Sequence, residues 1–165
     1  MLLGYSPVIS DGEPTEPHGG GDNALGAPDY DGVNACESQG VCTFVSLGDG
    51  GSVTVGFTDN LLAGSDDDTA DLCIYEVGPD IEDTLVEISA DNATWLPVGT
   101  IFGSTTTIDI DAFGHGSSSL FAYIRLTDDP NEGGQSERTV GADIDAVEAL
   151  TSVPNGEDEL PATGS

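Results

Sequence analysis

Apolar and polar residues alternate with a period of two along most of this chain, and the alternating runs are separated by clusters of Gly, Asp, Asn, Ser and Pro. Period two is the side-chain repeat of a β-strand, and those clusters are turn chemistry. The pattern is clearest in residues 64–78, GSDDDTADLCIYEVG. An acidic turn carrying Asp66, Asp67, Asp68 and Asp71 runs into a strand in which Leu72, Ile74 and Glu76 alternate with Cys73, Tyr75 and Val77. Residues 43–47 (TFVSL) and 52–57 (SVTVGF) flank GDGG and predict a hairpin, with Val53, Val55 and Phe57 on one face. Further strands are predicted over 84–89 (TLVEIS), over 95–98 with an end near Pro97, over 105–110 (TTTIDI) and over 120–127 (LFAYIRLT). Residues 142–150 (ADIDAVEAL) have a composition that also suits a helix. The alternation of Asp143, Asp145 and Val147 against Ile144, Ala146 and Glu148 favours a strand. A short strand within 2–9 (LLGYSPVI) is interrupted by Pro7.

About eight or nine short strands at regular spacing, with no amphipathic helix among them, predict an all-β sandwich. Three segments follow. Residues 1–21 form an N-terminal strand and a flexible linker rich in Pro and Gly, with a solvated His18. Residues 22–150 form the sandwich, and residues 151–165 an acidic C-terminal linker.

Charge narrows the function classes. The chain has 31 acidic residues against two basic ones, Arg125 and Arg138, and a formal charge of -29. Nucleic acid and anionic membrane surfaces are poor partners, because phosphate binding draws on Lys and Arg. Such a charge pushes a compact state apart unless cations screen it. Bound calcium and adaptation to high salt are the two remedies, and Asp-rich, Gly-rich turns favour calcium. No run of about 18 apolar residues is present to span a membrane. Met1, Leu2 and Leu3 are too few for the apolar core of a secretory leader, so export would require a targeting segment outside this sequence.

Of three cysteines, Cys36 and Cys42 lie in one loop with Gly40 and predict a local disulfide in a secreted protein. Cys73, inside a strand, reads as a small buried hydrophobe. Asn92, Ala93 and Thr94 match a glycosylation acceptor and are read here as a turn.

Several stretches together resemble bacterial extracellular domains of surface-anchored and secreted proteins. They are ALGAPD (24–29), FVSLGDGGSVTVGF (44–57), ADLCIYEVG (70–78), VEISADNATWLPVG (86–99), YIRLTD (123–128) and GADIDAVEAL (141–150). The resemblance covers residues 22–150 and implies a jelly-roll β-sandwich, often calcium-bearing, similar in architecture to carbohydrate-binding modules. The three cysteines and the long acidic run at 66–68 depart from it. Leu160, Pro161, Ala162, Thr163 and Gly164 resemble the LPxTG sorting signal, in which a sortase cysteine attacks the Thr–Gly bond. The hydrophobic segment and basic tail of a full signal do not follow, and a ligation tag has the same letters.

No enzyme constellation stands out. No nucleophile elbow surrounds any Ser, and His115 has no nucleophile or orienting partner nearby. The two His are isolated, which argues against zinc. No EF-hand or nonapeptide calcium repeat is present, so ligands for a hard cation must come from separate loops. In a jelly roll the first and last strands commonly pair. Asp22 and Asn23 at one end of the sandwich sequence, with Asp128, Asp143 and Asp145 at the other, are therefore candidate ligands for Ca2+. Asp71 and Glu76, with Asp66, Asp67 and Asp68, are candidates for a second site.

The chain thus reads as a non-catalytic surface module, structural or adhesive, partnering neighbouring subunits or extracellular glycans. Its N-terminal strand is a candidate for strand addition to a neighbouring copy, or else the edge of its own domain. Glycan stacking would fall to Trp95 and Tyr30, because Tyr75 and Tyr123 read as core. Scarce aromatics rank structure above sugar binding.

Overall fold

The computed structural model describes residues 1–6, 20–32, 41–77, 82–102, 104–132 and 140–156. Twelve strands are found among them: β1 (Leu2–Ser6), β2 (Val45–Ser46), β3 (Ser52–Gly56), β4 (Asn60–Ala63), β5 (Leu72–Glu76), β6 (Asp83–Ser89), β7 (Leu96–Phe102), β8 (Thr106–Ile108), β9 (Leu120–Phe121), β10 (Tyr123–Asp128), β11 (Asp143–Ala149) and β12 (Ser152–Pro154). Two short 3-10 turns, Gly21–Ala24 and Asp111–Phe113, are the helical elements among the described residues.

The strands form an antiparallel β-sandwich. A five-stranded sheet in the order β1-β3-β10-β6-β7 faces a four-stranded sheet, β2-β11-β5-β8, and a three-stranded sheet, β12-β4-β9. The two-residue repeat sorts the side chains. On β6, Thr84, Val86 and Ile88 point inward while Leu85 and Glu87 point out. On β10, Ile124, Leu126 and Asp128 are buried between half-exposed Tyr123, Arg125 and Thr127. Opposite them lie Val45, Ile144, Leu72, Ile74 and Ile108 of the four-stranded sheet and Leu62 and Phe121 of the three-stranded one. Burying a side chain of this size stabilises by about 1.5–3 kcal/mol relative to leaving it exposed.

Several sequence-based expectations are corrected. Residues 43–47 and 52–57 do not make a hairpin: β2 pairs with β11, and β3 pairs with β1 and β10. The GDGG turn is a corner between sheets. Its donors leave the hairpin ladder, with the Gly48 amide on the Val140 carbonyl at 2.7 Å and the Gly50 amide on an Asp128 carboxylate oxygen at 2.9 Å. The run 120–127 is two strands in two sheets, joined at Ala122. β7 runs through Pro97 to Phe102; as an edge strand it tolerates a residue without an amide. β4 and β12 had no signal, because NLLA has adjacent leucines and SVP is three residues long. β1 is the edge strand of its own sheet, and β12 adds to the sandwich beyond residue 150. Tyr75 is not core. It is half-buried, and its hydroxyl donates to Glu148 Oε2 at 2.7 Å.

Cys73 is free and buried, as expected. The Cys36–Cys42 pairing falls on Cys36, outside the described residues, as do His18 and Leu160, Pro161, Ala162, Thr163 and Gly164.

Candidate metal centre

Asp71 stands immediately before β5, at the end of the acidic turn. Its amide donates to the Ile108 carbonyl at 2.9 Å, and its own carbonyl accepts from Leu150 at 2.7 Å and Thr151 at 3.2 Å. Two chain segments thus fix its backbone, and the residue is 0% exposed. Oδ2 accepts the Ile110 amide at 3.0 Å, whereas the buried Oδ1 has no hydrogen-bond partner. Carboxylate oxygens of Asp71, Asp109 and Asp111 lie within 4.8 Å of one another. Among the described residues this is the group of acidic, His or Cys side chains close enough to share an ion.

The other two carboxylates are held just as firmly. Asp109 Oδ1 accepts the amides of Asp111 at 2.9 Å and Ala112 at 3.3 Å, which closes the 3-10 turn Asp111–Phe113. Asp111 Oδ2 accepts the amides of Ser65 at 2.8 Å and Asp66 at 3.1 Å. Asp66 itself adopts a left-handed conformation, φ 62°. Asp66 in turn takes the Ser117 amide at 2.9 Å and the Ser117 hydroxyl, and these bonds hold its carboxyl below the usual range. Glycines make the approach possible. A Cβ on Gly64 would lie 2.2 Å from the His115 carbonyl oxygen, and one on Gly116 would lie 2.4 Å from Asp66 Oδ1. Asp66, Asp67, Asp68, Asp109, Asp111 and Ala112 line an open depression of about 350 Å³.

Three carboxylates at this spacing repel one another by about 1 kcal/mol per pair in water and by more where water is excluded. A hard cation bound by an all-oxygen donor set would relieve that repulsion.

The remaining sequence candidates divide differently. Glu76 faces inward at the far end of β5 and is buried, on the opposite end of the strand from Asp71. β2 pairs with β11, so the predicted meeting of the two ends of the sandwich does occur. The carboxylates gathered there are taken up by protein donors. Asp128 accepts the amides of Gly50 at 2.9 Å and Ala142 at 2.8 Å. Asp143 accepts the Ser46 hydroxyl, and burial pushes its carboxyl up to about 7. Asp145 sits at the register shift between Ile144 and Ala146, which turns it from the solvent into the protein. There it accepts the amides of Asp29 at 3.3 Å and Tyr30 at 3.4 Å, and burial raises its pKa. Asn23 donates to the Phe44 carbonyl at 3.1 Å, and Asp22 is exposed in the 3-10 turn Gly21–Ala24.

Trp95 and Tyr30 are both half-buried, and each already has a neighbour. Arg125 lies over the Trp95 ring, and Tyr30 packs edge-on against Phe44 with centroids 5.8 Å apart. The 90–94 turn is built as expected, with Asp91 Oδ1 accepting the amides of Ala93 at 2.9 Å and Thr94 at 2.7 Å.

Asp109 and Asp111 were missed as ligands because alternation assigned Asp109 to the polar face of a strand. The available signal was the D-x-D pair directly after a strand.

No family model matches the chain, and no curated protein matches it. Among solved structures it is similar to CpGH89CBM32-6 produced by Clostridium perfringens, at 13% identity and a TM-score of 0.41, over 66% of this chain and 74% of that one. It is also similar to the C-terminal domain of a chitobiase from Bacteroides fragilis, at 14% identity and a TM-score of 0.39, over 62% of this chain and 63% of that one. Neither likeness assigns a role to a residue here. No helix among the described residues is long and apolar enough to cross a membrane.

Proposed function

We propose that this chain is a non-catalytic extracellular surface module, structural or adhesive, whose acidic loops are held by calcium. The balance of charge carries the reading. The chain has 31 acidic residues and two basic ones, and Arg125, one of the two, already pairs with Glu87 at 2.6 Å. Cations from solution must therefore offset the remaining carboxylates. Binding to the native state alone stabilises by RT ln(1 + [L]/Kd), about 2.7 kcal/mol at a hundredfold excess over Kd. Thermal melts with and without chelator, at fixed ionic strength, test it. A midpoint indifferent to chelator rejects calcium, and an equal rise with sodium favours salt adaptation.

Self-association is part of the proposal. β1 occupies a sheet edge, so its exchange between copies would rebuild the same ladder with β3 in a neighbour. Size measurements in calcium, with and without residues 1–21, check this; monomers in both cases count against it.

A second reading, calcium-dependent carbohydrate binding, rests on Trp95, a half-exposed indole beside Arg125. Glycan arrays run with calcium and with chelator separate the two. Binding that is lost in Trp95→Ala with the fold intact would place sugar recognition first.

A further inference from the structure

We infer that Asp71, Asp109 and Asp111 form a built site for one hard divalent cation that ties the start of β5 to the 109–111 turn. The inference rests on the calcium reading above and adds the residues that hold the ion, two of which lie outside the turn that suggested it.

Each carboxylate in the cluster is divided in the same way. One oxygen of each is bound by backbone amides: Asp71 Oδ2 by Ile110, Asp109 Oδ1 by Asp111 and Ala112, and Asp111 Oδ2 by Ser65 and Asp66. Those bonds fix where the side chains point. The second oxygen remains for a ligand. For Asp71 that oxygen is Oδ1, in a side chain with no solvent exposure and with no donor in reach. A buried carboxylate oxygen left unbonded costs about 1–3 kcal/mol or more, a cost that a bound cation removes. A metal ion fits because two further carboxylates lie within 4.8 Å. The donor set is all oxygen, which suits calcium or magnesium rather than zinc. Asp109 and Asp111 line the open depression, which leaves room for waters to complete the ion's shell on their side.

An ion here would join the start of β5 to the 109–111 turn directly. Through Asp111 it would fix the 64–66 turn, and through Asp66 the segment at Ser117.

The test uses the whole chain, calcium chloride as titrant and magnesium chloride for comparison. Calorimetry and thermal melts are run on wild type, Asp109→Asn and Asp71→Asn. The inference expects calcium affinity to fall at least tenfold in Asp109→Asn and the chelator-sensitive shift in melting to vanish in both variants. Should wild type ignore chelator, the calcium reading fails and this site with it. Should wild type respond and both variants respond equally, the site is wrong while the calcium reading stands. Amide resonances of wild type cover the case of a variant that does not fold. Ser65, Asp66 and Ile110 must be among the signals that calcium moves; if others move while these three stay, the assignment is overturned.

Discussion

The guanidinium carbon of Arg125 lies 4.3 Å from the centre of the Trp95 ring, while the same group pairs with Glu87 across the β6–β10 ladder at 2.6 Å. One cation thus serves an aromatic face and a carboxylate on the outer face of the five-stranded sheet. Arg125→Ala should cost about 1–2 kcal/mol, the sum of an exposed cation–π contact and a partly exposed ion pair. Trp95 emission should shift to the red as the indole gains water. Emission identical to wild type would show that the stacking does not persist in solution.

Stability should rise as pH falls from 8 towards 5 when calcium is absent. Burial pushes the Asp143 carboxyl up to about 7 and raises those of Asp128 and Asp145, so the native state binds protons more tightly than the unfolded chain. For Asp143 the contribution is complete below the ordinary value of 3.8 and is lost as pH rises through about 7. Asp91 acts in the opposite sense. The amides of Thr94 and Ala93 hold it at about 2, so its contribution is present above 3.8 and is lost as pH falls through about 2. Melting in chelator should therefore peak in mild acid. Asp143→Asn should flatten the slope between pH 5 and 8; a slope equal to wild type would contradict the assignment.

Asp128→Ala should be strongly destabilising. The carboxylate satisfies the Gly50 and Ala142 amides, which belong to the sheet corner and to the approach to β11. Two stranded amides and a lost charged acceptor amount to about 2–4 kcal/mol. Asp128→Asn, with one acceptor oxygen left, should lose less. Chemical denaturation of the three proteins gives the order, and equal losses would mean that only the charge matters.

Cys73 should resist alkylation in the native protein, being buried and, through that burial, raised in pKa. Cys36 and Cys42 are expected to label only after reduction. Intact mass before and after reduction reads both, and three labels on native unreduced protein would overturn them together.

The strands most legible in the sequence were those where alternation and apolar content coincide, β5, β6, β10 and β11. What alternation does not record is the partner. The joint at Ala122 and the corner at residues 48–51 keep the side-chain period while the backbone changes sheets, so one strand was read for two and a hairpin for a crossover. The candidate metal centre was half legible for the same reason. Asp71 announced itself beside an acidic turn, whereas Asp109 and Asp111 reach it only through the β5–β8 pairing, nearly forty residues along the chain. For Asp145, period two continues through the residue in the sequence, and the register shift that turns it inward belongs to the ladder.

The switch at Ala122 has a mechanical consequence. Its amide reaches the Ser89 carbonyl at 3.1 Å and its carbonyl takes the Phe57 amide at 2.9 Å, so the joint is anchored to the larger sheet before the chain becomes its central strand, β10. Peeling β9 away from β4 would put tension on that anchor and then on the Ile124 and Leu126 row behind it. The smallest sheet is therefore no detachable flap. Its amides should exchange with deuterated solvent only when the whole body opens, and a pull applied at either end should meet one cooperative breaking point instead of a series of lesser ones.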